Sequence, residues 1–266
     1  MTLTIDKQVK RWVRRAVRRV YPPAYILGRV ACLGQDVFNA MPSPVRPRHY
    51  ALLNMQKVRC DVINEWAVST NRDAIRTRAA RVVPHLARKD VTWLIEQQER
   101  MIWFEHQAPV TCAVMDTFAE LTDQRFRHRT EGWAFSCHYS DLDHTPAFES
   151  EFACEGLLPV EQIASTYQTF MQWFAGRYPG VSLYVIDFSA ARDERINFRQ
   201  RAAAIRSALV TLSNQHAWLH VLSLPDDFIE KADGDNFAYH FSHRTVERFA
   251  SLWQEIVKRG EKHGAD

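Results

Sequence analysis

Three carboxylates lie close together after a short apolar segment of the chain. Asp116 ends the segment PVTCAVMD (109–116), which is typical of a buried strand, and Glu120 and Asp123 follow it. Carboxylates in such a group can act as acids and bases, bind metals or contact a substrate. More often they pair with basic side chains, and Arg125 and Arg195 are the candidate partners.

A second group that could bind a ligand consists of arginines. Arg195 and its neighbours lie in a segment of helical pattern, DERINFRQR (193–201). Because a guanidinium binds phosphate or carboxylate in a bidentate way, these residues could hold an activated sugar or acyl donor. The alternative is that they form the solvated face of a helix.

His240 lies after the last predicted strand and just before Ser242, the predicted N-cap of the last helix. Histidine changes its charge near neutral pH, so His240 could act as a general base or acid. Alternatively, it is a histidine whose hydrogen bonds are satisfied near a helix start. The other histidines lack the spacing of known metal motifs, so we expect no metal and no cofactor.

Buried strands alternate with amphipathic helices along much of the chain, which predicts βαβ units and a parallel sheet. We therefore expect an α/β fold, a three-layer sandwich of the flavodoxin-like kind. Ligands of such sheets bind beyond the carboxyl ends of the strands, where the candidate residues above would lie. The predicted strands are 29–33, 49–54, 109–116, 181–188 and 217–224, and residues 117–158 read as a long irregular segment.

Residues 5–21 combine an apolar stripe with a face rich in Lys and Arg, and Pro22-Pro23 ends this pattern. We expect a basic amphipathic helix over 1–22, followed by a single α/β domain over 23–266. The helix could attach peripherally to an anionic membrane, or its stripe could pack on the domain or on a partner. The rest of the chain shows no RNA-binding motif and no second basic face, so nucleic acid is not an expected partner.

The composition is that of an ordinary globular protein, with 46% apolar residues, 24% charged residues and a net charge of +3 in 266 residues. The five cysteines show no CxxC spacing, which argues against a disulfide framework or a structural zinc site. Reduced thiols indicate a cytoplasmic protein. The chain has neither the long apolar run of a membrane span nor the apolar core of a signal peptide.

Several segments together resemble a known family. RVACLGQDVF (29–38) resembles the opening block of SGNH (GDSL-type) hydrolases and their GSCFA-like relatives, in which a strand ends in Gly-Asp-Ser or Gly-Ser-Cys. The segment 235–253 resembles the family's final block, in which an Asp and a His precede the last helix. The segments 115–126 and 193–201 are similar to those of bacterial SGNH-like proteins associated with surface polysaccharide synthesis.

The resemblance implies a nucleophile after the first strand, but the register is open to two interpretations. Aligning Gly34 with the family glycine places Gln35 and Asp36 in the motif, with Asp36 at the nucleophile position. A shifted register places Cys32 there, but it puts Val30 where the glycine belongs. We favour the first register, because we expect the turn to need the permissive backbone of glycine.

The same resemblance implies a function and assigns roles to further residues. His240 would activate the nucleophile, and backbone amides near Gly34 would stabilise the oxyanion. Asp235 is the nearest carboxylate upstream of His240, since Phe237 stands where the family has Asp. The protein would be an esterase or acyltransferase that acts on an acyl group of a bacterial surface polysaccharide. Since a carboxylate nucleophile is foreign to this family, the alternative is a catalytically silent module that binds a glycan or a synthesis partner at the membrane.

Overall fold

The structure is a computed structural model that describes residues 24–41, 50–70, 76, 78–234 and 237–263. The predicted basic helix at 1–22, with its proposed membrane contact, and Asp235 lie outside these residues. Within the described ranges, no helix has both the length and the apolar character that crossing a bilayer requires.

The strands and helices alternate along the chain, as the sequence predicts. The strands of the described residues are β1 (Ala24–Arg29), β2 (Tyr50–Asn54), β3 (Val110–Asp116), β4 (Asp123–His128), β5 (Ala134–His138), β6 (Phe152–Gly156), β7 (Leu183–Ile186) and β8 (Leu219–Leu222). The helices are α1 (Cys32–Ala40), α2 (Cys60–Val68), α3 (Arg78–Val82), α4 (Thr92–Glu99), α5 (Ile102–Glu105), α6 (Phe118–Thr122), α7 (Pro146–Glu151), α8 (Ile163–Arg177), α9 (Ile196–Ser213) and α10 (His243–His263).

A central parallel sheet of five strands confirms the predicted fold class. Its strand order is β2-β1-β3-β7-β8, and every neighbouring pair is parallel. Helices α1 and α10 pack against each other, and α8 packs against both α2 and α9, so the molecule is a three-layer sandwich. The central strands are buried on both faces, which explains why β7 is an uninterrupted apolar run.

The first strand lies earlier than predicted, and this changes the interpretation of the residues that follow it. The predicted strand at 29–33 is wrong, because β1 ends at Arg29 and Cys32 already begins α1. The apolar run continues past the strand because the first turns of α1 bury Leu33, Val37 and Phe38. A strand and an amphipathic helix that adjoin in this way produce one apolar segment in the sequence.

The sequence suggested that the segment 117–158 is irregular, but the segment contains a second sheet. Strands β4, β5 and β6 form this antiparallel sheet in the order β5-β4-β6. In β4, Phe126 and His128 are buried, whereas Arg127 on the other face pairs with Glu65 at 2.8 Å. The strand was missed because paired charges cover that face, so its composition resembles that of a loop.

A buried ion pair connects the end of β1 to the helices α6 and α2. The Arg29 guanidinium at the end of β1 donates to both carboxylate oxygens of Glu120 in α6, at 2.9 and 3.1 Å. Glu120 also accepts from the backbone N–H of Cys60 at the start of α2, at 2.8 Å. Arg29 further donates to the carbonyl oxygens of Val58 and Asp116. Glu120 therefore pairs with Arg29, and neither Arg125 nor Arg195, the partners considered from the sequence, holds it.

Removing one member of this pair should destabilise the fold strongly, because the other charge would stay buried without a partner. We expect Arg29→Met to lower the free energy of unfolding by about 3–5 kcal/mol, measured by urea denaturation. The double variant Arg29→Met/Glu120→Leu should recover part of this loss.

The matched control is Arg81→Met, because Arg81 pairs with Glu131 and Glu151 at the surface and is 54% exposed. We expect this variant to lower the free energy of unfolding by at most about 1 kcal/mol. A similar cost for Arg29→Met and Arg81→Met would contradict the role assigned to the buried pair.

Candidate active site

A cleft of about 510 Å³ lies at the carboxyl edge of the parallel sheet. The turn after β1 contributes Cys32, and the loop before α10 contributes His240. Two residues predicted from the sequence as catalytic candidates, Cys32 and His240, therefore face the same space. The remaining lining residues are Gln56, Lys57, Arg88, Asp90, Val91, Trp93, Leu94, Phe118, His138, Ser140, Asp141 and Phe237.

Side chains from the strands on either side hold the turn between β1 and α1. Asn54, at the end of β2, accepts from the N–H of Val30 at 3.1 Å and donates to its carbonyl oxygen at 3.0 Å. Asp116, at the end of β3, accepts from the N–H of Ala31 at 2.6 Å. Because each neighbouring strand fixes one residue of the turn, the position of Cys32 is determined by the sheet.

Cys32 is the first residue of α1 and is exposed to solvent. The first backbone N–H groups of an α-helix have no partner within the helix, so they can donate to a negative charge that develops nearby. The N-cap residue Ala31 has a φ of −75° and contributes no side-chain hydrogen bond to the helix. This end of α1 thus presents a thiol beside hydrogen-bond donors.

The expectation that the turn requires glycine is wrong. Neither Val30 nor Ala31 has a positive φ, and both are among the described residues. Gly34 lies inside α1, with Gln35 beside it, while Asp36 is exposed one helical turn beyond Cys32 and does not line the cleft. The objection that favoured Asp36 over Cys32 therefore no longer holds.

Gly34 is needed for packing. A Cβ atom at this position would lie 2.6 Å from Asp116 Oδ2 and 2.7 Å from the Cβ atom of Val30. The carboxylate cannot easily move aside, since it also accepts from the N–H of Phe118 at 3.2 Å. The absence of a side chain lets α1 approach the end of β3 closely enough for Asp116 to reach the turn.

We expect Gly34→Ala to destabilise the protein by about 1–3 kcal/mol, because the added methyl group overpacks a fixed contact. This sign is opposite to that of helix propensity, which favours Ala over Gly by about 1 kcal/mol. Gly176→Ala in α8 is the control, since nothing lies within 4 Å of its added Cβ. Thermal unfolding should show Gly34→Ala melting below the wild type and Gly176→Ala at or above it.

His240 is exposed, and its backbone is held at two points. Its N–H donates to the carbonyl oxygen of Phe237 at 3.1 Å, and its carbonyl oxygen accepts from the N–H of Ala232 at 2.9 Å. The adjacent residue Tyr239 is buried and donates its hydroxyl to Asp193 at 2.7 Å. His240 therefore lies on a loop that is anchored to the core. Ser242 accepts from the N–H of Thr245, which confirms it as the N-cap of α10.

Arg195, a candidate for substrate binding, is paired within the chain. Its guanidinium donates to both carboxylate oxygens of Asp193, at 2.9 and 2.7 Å. Burial alone would raise the pKa of Asp193, but the hydrogen bonds from Arg195 and Tyr239 outweigh it and lower the pKa to about 2. Arg195 thus supports the loop of His240 through Asp193, and it does not line the cleft.

The carboxylates Asp116, Glu120 and Asp123 are fully buried, and none of them lines the cleft. Burial raises the pKa of Asp116 and that of Asp123 to about 7. Asp116 and Glu120 were both considered for substrate contact. Instead, Asp116 accepts a hydrogen bond from the turn between β1 and α1, and Glu120 pairs with Arg29. One oxygen of Asp123, Oδ2, is buried without a hydrogen-bond partner.

A polar wall of six residues forms part of the cleft: Lys57, Arg88, Asp90, His138, Ser140 and Asp141. Lys57 Nζ lies 2.8 Å from Asp141, Arg88 lies 2.7 Å from Asp90 and 3.6 Å from Asp141, and His138 Nδ1 lies 2.8 Å from Ser140 Oγ. Burial lowers the pKa of His138. Lys57 has a φ of 58°, a strained conformation of the kind that collects at functional sites.

None of the six residues of this wall was predicted from the sequence as a binding residue, and the two anchors Asn54 and Tyr239 were not predicted either. Asn54 ends a predicted strand, so its position at the carboxyl edge could have been recognised. Lys57 follows the same strand by three residues. Nothing comparable pointed to His138 and Asp141, because they lie at the end of β5 and in the turn after it, in the unrecognised second sheet and its connection.

The raised pKa of Asp123 predicts a pH dependence of stability. Its ordinary value is 3.8, so between about pH 4 and pH 7 the folded protein retains a proton that the unfolded chain has released. Stability should therefore fall as the pH rises through this window, by at most about 1.4 kcal/mol per pH unit for this group.

We expect Asp123→Asn to reduce this slope, because the amide cannot ionise. Urea denaturation across the pH range gives the comparison. Asp36→Asn, which removes an exposed carboxylate, is the control and should retain the wild-type slope. Identical slopes in wild type and Asp123→Asn would show that Asp123 does not titrate in this window.

Comparison with protein-family models gives no match, and comparison with curated proteins gives no significant one. Within the described ranges, no group of three or more His, Cys, Asp or Glu side chains is arranged to hold a metal ion. The function must therefore be inferred from the cleft and from the residues that face it.

Proposed function

We propose that the protein is an esterase or acyltransferase in which Cys32 is the nucleophile and His240 the general base. The main support for this proposal is that the exposed thiol at the start of α1 and His240 line one cleft at the carboxyl edge of the sheet. The resemblance to SGNH hydrolases supports the same reaction class, and it supports an acyl ester of a surface polysaccharide or its precursor as substrate.

In the proposed first step, His240 accepts the thiol proton while Cys32 Sγ attacks the carbonyl carbon of the ester. Backbone N–H groups at the start of α1 stabilise the negative charge on the carbonyl oxygen. The C–O bond then breaks, and the alcohol leaves with the proton returned by His240. The acyl group is now held as a thioester on Cys32.

In the second step, water or an acceptor hydroxyl attacks the thioester carbon, and His240 takes its proton. Collapse of the intermediate releases the acid or the new ester, and the sulfur recovers the proton from His240. Transfer to water makes the protein an esterase, and transfer to a hydroxyl makes it an acyltransferase.

The decisive experiment detects the thioester. Wild-type protein incubated with p-nitrophenyl acetate should gain the mass of one acetyl group by intact-protein mass spectrometry, and Cys32→Ala should not. Cys154→Ser is the matched control, because Cys154 is also exposed but lies outside the cleft. His240→Ala should slow acylation by about 10²–10⁴-fold and leave the melting temperature close to that of wild type.

Asp36→Asn tests the other register, and in our proposal it acylates at the wild-type rate. Loss of turnover in Asp36→Asn together with normal turnover in Cys32→Ala would overturn the assignment of Cys32. If no variant and no wild-type protein is acylated, the silent module that binds a glycan or a synthesis partner becomes the better hypothesis.

A further inference from the structure

The cleft has an aromatic wall beside His240. The rings of Phe118 and Phe237 lie 6.3 Å apart, and that of Phe237 lies 4.8 Å from His240. Phe237 is 39% exposed, and Trp93, which also lines the cleft, is 46% exposed. Large apolar side chains that stay exposed in a concave site are typical of surfaces that contact a ligand.

The polar wall defined above carries balanced charge. Its two cations, Lys57 and Arg88, are paired with its two carboxylates, Asp90 and Asp141. Arg195, whose charge also affects His138, is neutralised by Asp193. A phosphate or carboxylate ligand would have to compete with Asp90 and Asp141 for the cations and would be repelled by them. Hydroxyl groups face no such conflict, since they can donate to the carboxylates and accept from the cations.

We propose that the cleft selects an uncharged amphiphilic ester, with an apolar acyl group on the aromatic wall and a hydroxyl-rich alcohol on the polar wall. This rests on the proposed function for the identity of the reacting bond, and it adds the chemical class of both halves of the substrate. The volume of about 510 Å³ accommodates a ligand of this size. A charged acyl donor is disfavoured by the same argument.

Binding of stable analogues tests this selection without requiring turnover. The probes are hexyl β-D-glucopyranoside, methyl β-D-glucopyranoside and hexyl phosphate, titrated into the full-length wild-type protein by calorimetry. We expect the hexyl glucoside to bind at least about tenfold more tightly than the methyl glucoside, which lacks the apolar chain. It should also bind more tightly than hexyl phosphate.

The aromatic wall is tested by Phe237→Ala. This variant should bind the hexyl glucoside more weakly than the wild type does, and its affinity for the methyl glucoside should be nearly unchanged. Phe228→Ala is the matched control, since Phe228 is 43% exposed but does not line this cleft. Equal affinities of the two variants for the hexyl glucoside would overturn the placement of the acyl group.

Two opposite charge changes test the polar wall. Asp90→Asn leaves an excess of positive charge on the wall and should strengthen the binding of hexyl phosphate, whereas Arg88→Gln should weaken that binding. Both residues are more than half exposed, so folding should tolerate either change. Arg81→Gln removes a positive charge outside the cleft and should alter no affinity.

Hexyl phosphate binding to the wild type as tightly as the hexyl glucoside would overturn the proposed selection, and so would the absence of binding by the glucoside. Either result is independent of whether Cys32 forms a thioester. Conversely, the hexyl glucoside could bind in a way that depends on Phe237 although Cys32 is never acylated. That result would support the proposed class of ligand and reject acyl transfer through Cys32.

Discussion

The Arg29–Glu120 pair is the interaction on which the site depends most. It joins the end of β1 to α6 and, through the N–H of Cys60, to the start of α2. All of these groups are buried, so the attraction acts in a medium of low dielectric constant and water cannot replace either partner. The pair fixes where β1 ends relative to β3, and this relation sets the turn that carries Cys32.

The cleft brings together parts of the chain that belong to different substructures. The helices that follow β1 and β3 supply Cys32 and Phe118, the end of β5 supplies His138, and the loop before α10 supplies His240. The second sheet is therefore part of the site, because β5 and the turn that follows it provide three of the six residues of the polar wall, His138, Ser140 and Asp141. A parallel sheet alone would bring Cys32 and His240 to one edge with only part of the surface that we propose for the alcohol.

The architecture could be predicted because buried parallel strands and amphipathic helices leave strong periodic patterns. The site was harder to predict for two physical reasons. The apolar residues of α1 directly follow those of β1, so the boundary at Cys32 was hidden and Gly34 was expected in the turn and not in the helix. In β4, the partners of Arg127 lie far away in the sequence, so its charge resembled that of a loop residue. Asp116 was recognised as important, but its role as acceptor for Ala31 depends on a contact that no local pattern reveals.

The hydrogen bonds that hold the turn between β1 and α1 also affect the order in which the protein folds. Asn54 is 24 residues from Val30, and Asp116 is 85 residues from Ala31, so the two hydrogen bonds close loops of very different length. Contacts between residues so distant in sequence form slowly, because the chain must first lose the entropy of closing the loop. During synthesis, β1 and α1 leave the ribosome well before the carboxylate that orders the turn between them. Cys32 should therefore reach its final geometry only after β3 has docked, so the placement of its thiol depends on a contact that forms late in folding.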